Sequence, residues 1–212
     1  MANLTLTLFI LAVLFLAGTI TADYITSSCT ATTYPRLCVQ SLSPYAETIK
    51  HNPAELARFA LNVTLNQSES AQSFLQKLTE SKWLNSRERS AVGDCLEEVN
   101  DSLDRVRNSI RELNSVDRFK GREFLLHMSN VQTWISSALT DENTCMDGFS
   151  GQEIGGPVQS SVRIQISDVA HFTKWWGMRL KRGSRRMFGA WIFLLRSGSG
   201  GSLLWPLIKM LE

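Results

Sequence analysis

From Ser90 onward the chain repeats apolar residues at alternating steps of four and three: Val92, Leu96, Val99, Leu103, Val106, Ile110 and Leu113. A stripe of that period lies on one face of an α-helix, and its persistence through successive heptads predicts a long helix packed along one side. The outward positions carry Glu97, Glu98, Asp101, Asp104, Arg105, Arg107, Arg111 and Glu112, the solvated face such a helix needs. A second stripe, Phe124, Met128, Val131, Ile135 and Ala138, opens after Gly121 and loses its pattern in Thr140-Asp141-Glu142-Asn143. A third, less regular one, Leu56, Phe59, Val63, Phe74, Leu75 and Leu78, follows Asn52-Pro53, a capping residue and a proline suited to the first helical position. A fourth begins after Gly155-Gly156-Pro157 with Val158, Val162, Val169 and Phe172. Four amphipathic helices joined by short polar connectors predict an all-α chain folded as an antiparallel four-helix bundle.

Two segments at the front lie outside this pattern. Met1 to Ala22 holds the wholly apolar stretch Leu8 to Ala17, followed by Gly18-Thr19-Ile20-Thr21-Ala22. A membrane-spanning helix needs about 20 apolar residues, so this shorter run reads as a secretory signal peptide over residues 1–22, cut near Asp23. It departs from the usual leader in having no charged side chain before its apolar stretch and in placing Ile20 where a small residue is usual. From Asp23 to about Ser43 two short helical pieces are expected to meet at Tyr34-Pro35, because the residue before a proline is pushed out of helical geometry. Residues 23–173 thus read as one domain, an N-terminal helical hairpin over 23–43 and the bundle over 44–173.

Composition changes the picture at two points. The cysteines are Cys29, Cys38, Cys95 and Cys145, and an even number behind a secretory leader reads as a disulfide framework, since the secretory pathway is oxidising. Three pairings are open to four cysteines. The short spacer across the Tyr34-Pro35 turn favours Cys29 with Cys38, and antiparallel neighbours, which place the start of one helix beside the end of the next, favour Cys95 with Cys145. The second point is charge: the overall +2 divides into −5 over Met1 to Thr173 and +7 over Lys174 to Glu212. Residues 174–212 also hold Trp175, Trp176, Trp191 and Trp205, and Gly177, Gly183 and Gly189 interrupt any helix there. The fourth helix is therefore expected to be truncated near Thr173. Such a break is what translated intronic or frame-shifted sequence looks like, and that reading is preferred. The alternative is a basic, Trp-rich tail that contacts anionic pectin or a membrane surface.

No catalytic pattern emerges. His51, His127 and His171 are far apart, without Cys-x-x-Cys or His-Glu-x-x-His spacing, so neither a zinc site nor a metalloprotease is supported. Gly155-Gly156 lacks the continuation of a dinucleotide or phosphate loop and reads as a chain break before the fourth helix. No cofactor, metal or nucleic-acid partner is expected. Glycosylation sequons stand at Asn62-Val63-Thr64, Asn66-Gln67-Ser68 and Asn100-Asp101-Ser102, all within predicted helices.

Three blocks carry a specific resemblance: Tyr34-Pro35-Arg36-Leu37-Cys38-Val39-Gln40-Ser41-Leu42; Asp94-Cys95-Leu96-Glu97; and Val131-Gln132-Thr133-Trp134-Ile135-Ser136-Ser137-Ala138-Leu139-Thr140, leading to Thr144-Cys145-Met146-Asp147-Gly148-Phe149. Over about Asp23 to Thr173 the chain resembles the plant invertase and pectin methylesterase inhibitor family. The resemblance implies an up-down-up-down bundle with an N-terminal helical hairpin and two disulfides, and a secreted, non-enzymatic protein of the cell wall. It implies as partner either pectin methylesterase, whose substrate cleft is covered in a one-to-one complex, or acid invertase. Invertase inhibitors of the family carry a Pro-Lys-Phe motif, and none of Pro35, Pro44, Pro53, Pro157 and Pro206 is followed by Lys, so pectin methylesterase is the expected target. The family also occurs fused ahead of an esterase domain, and a free-standing inhibitor is expected here. Thr144 and Asp147 are implied as partner-contacting residues, against the simpler reading of a helix-end cap and a solvated charge. For Glu97, Glu98, Asp101 and Asp104 the simpler reading, a solvated helix face, is preferred to partner contact.

Overall fold

Each of the four stripes forms a helix in the computed structural model of the chain, which describes residues 24–30, 32–150, 154, 156–174 and 177. A first short helix, α1, covers 24–29, and α2 covers Pro35–Leu42 with Pro35 in its opening turn. A 3-10 turn, Ser43–Tyr45, leads into the single turn α3, Ala46–Ile49. The long helices follow: α4 at Pro53–Thr79, α5 at Ser86–Ser115, α6 at Gly121–Asp147 and α7 at 157–174. The signal-peptide reading of residues 1–22 lies outside the described residues, as does the tail reading apart from Lys174 and Gly177; Gly177, expected to interrupt the helix, is itself helical.

Local chemistry sets the helix starts. Asn52 Oδ1 accepts from the backbone N–H of Ala54 at 2.9 Å and of Glu55 at 3.4 Å, satisfying amides that a first turn leaves without helical partners. Just before it, Lys50 takes a left-handed φ of 48°, which swings the chain from α3 into α4. At the start of α5, Asn85 and Glu88 form a reciprocal capping box at 2.9 and 3.0 Å. Gly121 opens α6 at φ 58°, a conformation that favours glycine.

The buried side chains form two cores stacked along the bundle. The hairpin-side core takes Leu56, Ala57, Ala60, Leu61 and Val63 from the start of α4, Val106 and Leu113 from the end of α5, and Met128, Val131, Ile135 and Ala138 from the first turns of α6. The distal core takes Ala71, Leu75 and Leu78 from the end of α4, Val92, Cys95, Val99 and Leu103 from the start of α5, and Cys145 from the end of α6, with Val158, Val162, Ile166 and Val169 of α7. Successive helices enter the two cores in alternating order, so the bundle runs up, down, up, down.

Two bridges fasten it, Cys29 to Cys38 and Cys95 to Cys145. The first joins α1 to α2 and buries Cys29, Ile25, Cys38 and Leu42 against the hairpin-side core. The second ties α5 to α6 inside the distal core. The hairpin meets α7 where Tyr34 stacks on His171, ring centroids 3.6 Å apart.

One expectation is corrected. The α6 stripe fades at Thr140 to Asn143, but the helix continues to Asp147 and Cys145 lies within it. The pattern is lost because Asp141 and Glu142 point inward, 7% and 1% exposed, so polarity there marks a buried carboxylate pair and not a helix end.

Candidate partner-binding surface

The outer face of α6 carries a strip of small polar side chains. Ser129, Thr133, Ser136, Thr140, Thr144 and Asp147 recur at steps of three and four and are all exposed, which puts them in one line along the helix. Thr133, Thr140 and Thr144 each donate to the carbonyl one turn back, at 2.9 to 3.1 Å, so their hydroxyl oxygens keep lone pairs for an outside donor. Ser129, Gln132, Thr133, Ser136, Ser137 and Thr140 line a shallow open groove.

Thr144 and Asp147, the two residues singled out from sequence, stand at the end of this strip. Thr144 does not cap the helix; its hydroxyl bonds the Thr140 carbonyl, and the helix end is closed by the Gly148 N–H on the Thr144 carbonyl at 3.1 Å. The other strip residues were missed because Ser and Thr at polar positions of an amphipathic helix carry no signal beyond exposure. Their spacing, in step with the apolar stripe, was the available clue.

Beside the strip, across the α5–α6 seam, lies a charge cluster. Arg105 bonds Asp141 of α6 and reaches Asp101 at 3.7 Å. Glu98 shares the cluster, and burial first, then repulsion from Asp141 and Asp101, raises its pKa. Asp104 pairs with Arg107, which also holds Glu69 of α4 at 3.1 Å. Toward the hairpin end Glu112 accepts from Asn130 at 2.8 Å and meets His127 Nδ1 at 2.7 Å. Of the four acidic residues weighed from sequence, Glu98, Asp101 and Asp104 are thus engaged with neighbouring side chains. Among the described residues no group of three or more His, Cys, Asp or Glu is placed to hold a metal. The face offers hydrogen-bond donors, acceptors and carboxylates, the chemistry of docking.

A sequence model described as "Plant invertase/pectin methylesterase inhibitor" matches residues 23–175. The chain belongs to that family. It is 52% identical over 151 residues to the "21 kDa protein" of Daucus carota, covering 71% of this chain and 78% of that protein. It is 47% identical over 152 residues to "Pectinesterase inhibitor 11" of Arabidopsis thaliana, covering 71% and 75%. The solved structure of a pectin methylesterase inhibitor from Arabidopsis thaliana superposes with a TM-score of 0.52 at 17% identity, covering 75% of this chain and 95% of that one, which agrees with the bundle fold. As a member of an inhibitor family, the protein is not itself an enzyme.

The three sequons differ in setting. Asn62 and Asn66 are exposed one turn apart on α4. Their hydroxyl partners Thr64 and Ser68 are fully buried and donate to the Ala60 and Thr64 carbonyls. Asn100 is half-buried, its Oδ1 accepting from Gln72 at 2.6 Å, and Ser102 is fully buried on Glu142.

Proposed function

We propose that this protein inhibits pectin methylesterase by laying the α5–α6 face over the enzyme's substrate cleft in a one-to-one complex, so restraining de-esterification of pectin in the cell wall. The observation that carries the reading is the family match over residues 23–175 together with relatives at 44 to 47% identity named as pectinesterase inhibitors. The hydroxyl strip ending in Thr144 and Asp147 supports it, because a polysaccharide groove presents polar groups that such a strip can match by hydrogen bonds. Acid invertase, the other target in the family's description, is disfavoured by the absence of a Pro-Lys pair. Family members are extracellular cell-wall proteins, and the reading of residues 1–22 as a leader supports the apoplast for this one; on that reading Asn62 and Asn66 are the sequons open to a glycan, added before the helix closes over Thr64 and Ser68. Residues 174–212 are read as separate from the inhibitor domain.

The test is residual activity of a plant pectin methylesterase and of an acid invertase, each titrated with the purified oxidised chain. Stoichiometric loss of esterase activity alone is expected; an unaffected esterase overturns the reading. Thr144→Arg with Asp147→Arg is expected to weaken inhibition about tenfold or more, as placing a bulky cation in an interface does, without shifting the unfolding midpoint.

A further inference from the structure

Glu142 is the most deeply buried ionisable side chain among the described residues, 1% exposed, and it sits where three helices meet. Its Oε1 accepts from Ser102 of α5 at 2.9 Å and lies 2.8 Å from Thr173 Oγ1 of α7, while its Oε2 has no partner. Thr173 bears on the protonation state. Its hydroxyl has one proton, yet it contacts both Glu142 Oε1 and, at 3.1 Å, the Val169 carbonyl. A carbonyl can only accept, so each contact has a proton of its own only if Glu142 donates to Thr173 while Thr173 donates to Val169; an ionised Glu142 leaves Thr173 to split one proton between the two. A neutral carboxyl satisfies that chain and leaves Oε2 as an uncharged carbonyl oxygen, whereas an ionised one leaves a buried charge with an oxygen that nothing donates to.

Among the described residues no cation is at hand to rescue the charge. On α6 the neighbouring Asp141 repels it, and on α5 Arg105 is committed to Asp141 and Asp101, with Glu98 in the same cluster. On α7 His171 is stacked on Tyr34 and Lys174 is exposed, and the buried residues of α4 include nothing ionisable.

We propose that Glu142 is a proton-dependent latch: neutral, it fastens α7 to α5 and α6, and its ionisation as the surroundings turn alkaline loosens α7 from the bundle. Burial, the largest cause, outweighs the hydrogen bonds with Thr173 and Ser102 and pushes its pKa up from 4.5 to about 8. The unfolded chain therefore loses this proton near 4.5 while the folded chain keeps it to about 8, so stability falls as pH rises between those values and is fully present below them. This holds for the inhibitor alone and does not depend on which enzyme it meets.

The test is denaturant unfolding of the full oxidised chain at pH values from 4.5 to 9, for the wild type and for Glu142→Gln, whose amide nitrogen in the place of Oε1 can donate to both Thr173 and Ser102 but cannot ionise. Relative to the variant, the wild type's folding constant is expected to drop by up to about tenfold per pH unit through this window, the slope for one proton, with hydrogen exchange in α7 speeding up in step. Parallel pH profiles for the two proteins overturn the proposal. If Glu142→Gln does not fold, infrared spectra of the wild type decide: a protonated-carboxyl band persisting at pH 7 and lost near pH 8 supports the latch, and no such band at pH 7 refutes it.

Discussion

The hairpin-side and distal cores cover the same three helices with different fourth walls. At the distal end α7 supplies Val158, Val162, Ile166 and Val169, and the bridge there spans 50 residues. At the other end α7 gives the apolar core Phe172 alone, and α1, α2 and α3 fill the wall with Ile25, Cys29, Cys38, Leu42 and Ile49, held by a bridge spanning 9 residues. Two glutamates, Glu142 at the meeting of α5, α6 and α7 and Glu112 toward the hairpin end, respond to pH in opposite senses. At Glu142 burial prevails and raises the pKa to about 8. At Glu112 burial also pulls upward, but the hydrogen bonds from Asn130 and His127 prevail and leave the pKa lowered. The sign follows the balance of the two: at Glu142, 1% exposed, burial wins over two hydrogen bonds, and at half-buried Glu112 two hydrogen bonds win over burial.

The largest break in this comparison is chemical. Replacing Cys95 and Cys145 together by Ser is expected to cost roughly 4 kcal/mol, against roughly 2.5 kcal/mol for Cys29 and Cys38, because chain entropy returned on unfolding grows with the loop a bridge closes. Denaturant midpoints of the two double variants measure the difference. Equal losses would mean that the hairpin bridge has a role in packing beyond closing its short loop.

A smaller change sharpens the electrostatic contrast. Glu112→Gln is expected to cost about 1 to 2 kcal/mol at pH 7, the scale of hydrogen bonds to a charged group. The folded pKa lies below 4.5, so this contribution is present above that value and lost as pH falls through the folded one. Unfolding at pH 7 and pH 3 should show the variant catching up with the wild type in acid, the reverse of the Glu142→Gln result.

The contrast also explains what the sequence could and could not disclose. Val92 to Leu113, Met128 to Ala138 and Val158 to Phe172 read directly as helix faces because burial and apolarity coincide along them. Glu142 was read as the loss of a stripe, since a glutamate is ordinarily a surface residue and only the meeting of Ser102 and Thr173 on other helices makes room for it inside. Thr64 and Ser68 were overlooked as core for a related reason: bonded to carbonyls of their own helix, they bury as small near-apolar groups, a role their polarity hides. Cys29 with Cys38 was legible because a turn-forming proline lies in the short spacer, whereas the α3 turn and the left-handed Lys50 have no comparable local signal. On the proposed binding face, Thr144 and Asp147 were implied by family motifs alone. The strip they complete needed α6 to run unbroken to Asp147, which the buried carboxylates had disguised.

The smallest expected effect lies where the two walls touch. Tyr34 and His171 join hairpin to α7, and the contact is worth about 1 kcal/mol or less, the scale of a stacked ring pair beyond its buried area. Burial, with Lys174 adding to it and Asp168 opposing, holds the His171 pKa below 6.5. The unfolded chain therefore takes up this proton first as pH falls, so the junction weakens in acid while the Glu142 latch a few residues away tightens. Tyr34→Ala strips one side of the stack and exposes the imidazole, so the His171 ring resonance should titrate closer to 6.5 and the acid-side loss of stability should shrink. An unmoved titration would mean that α7 itself, and not the hairpin, shelters His171, and that the two fourth walls meet without depending on each other.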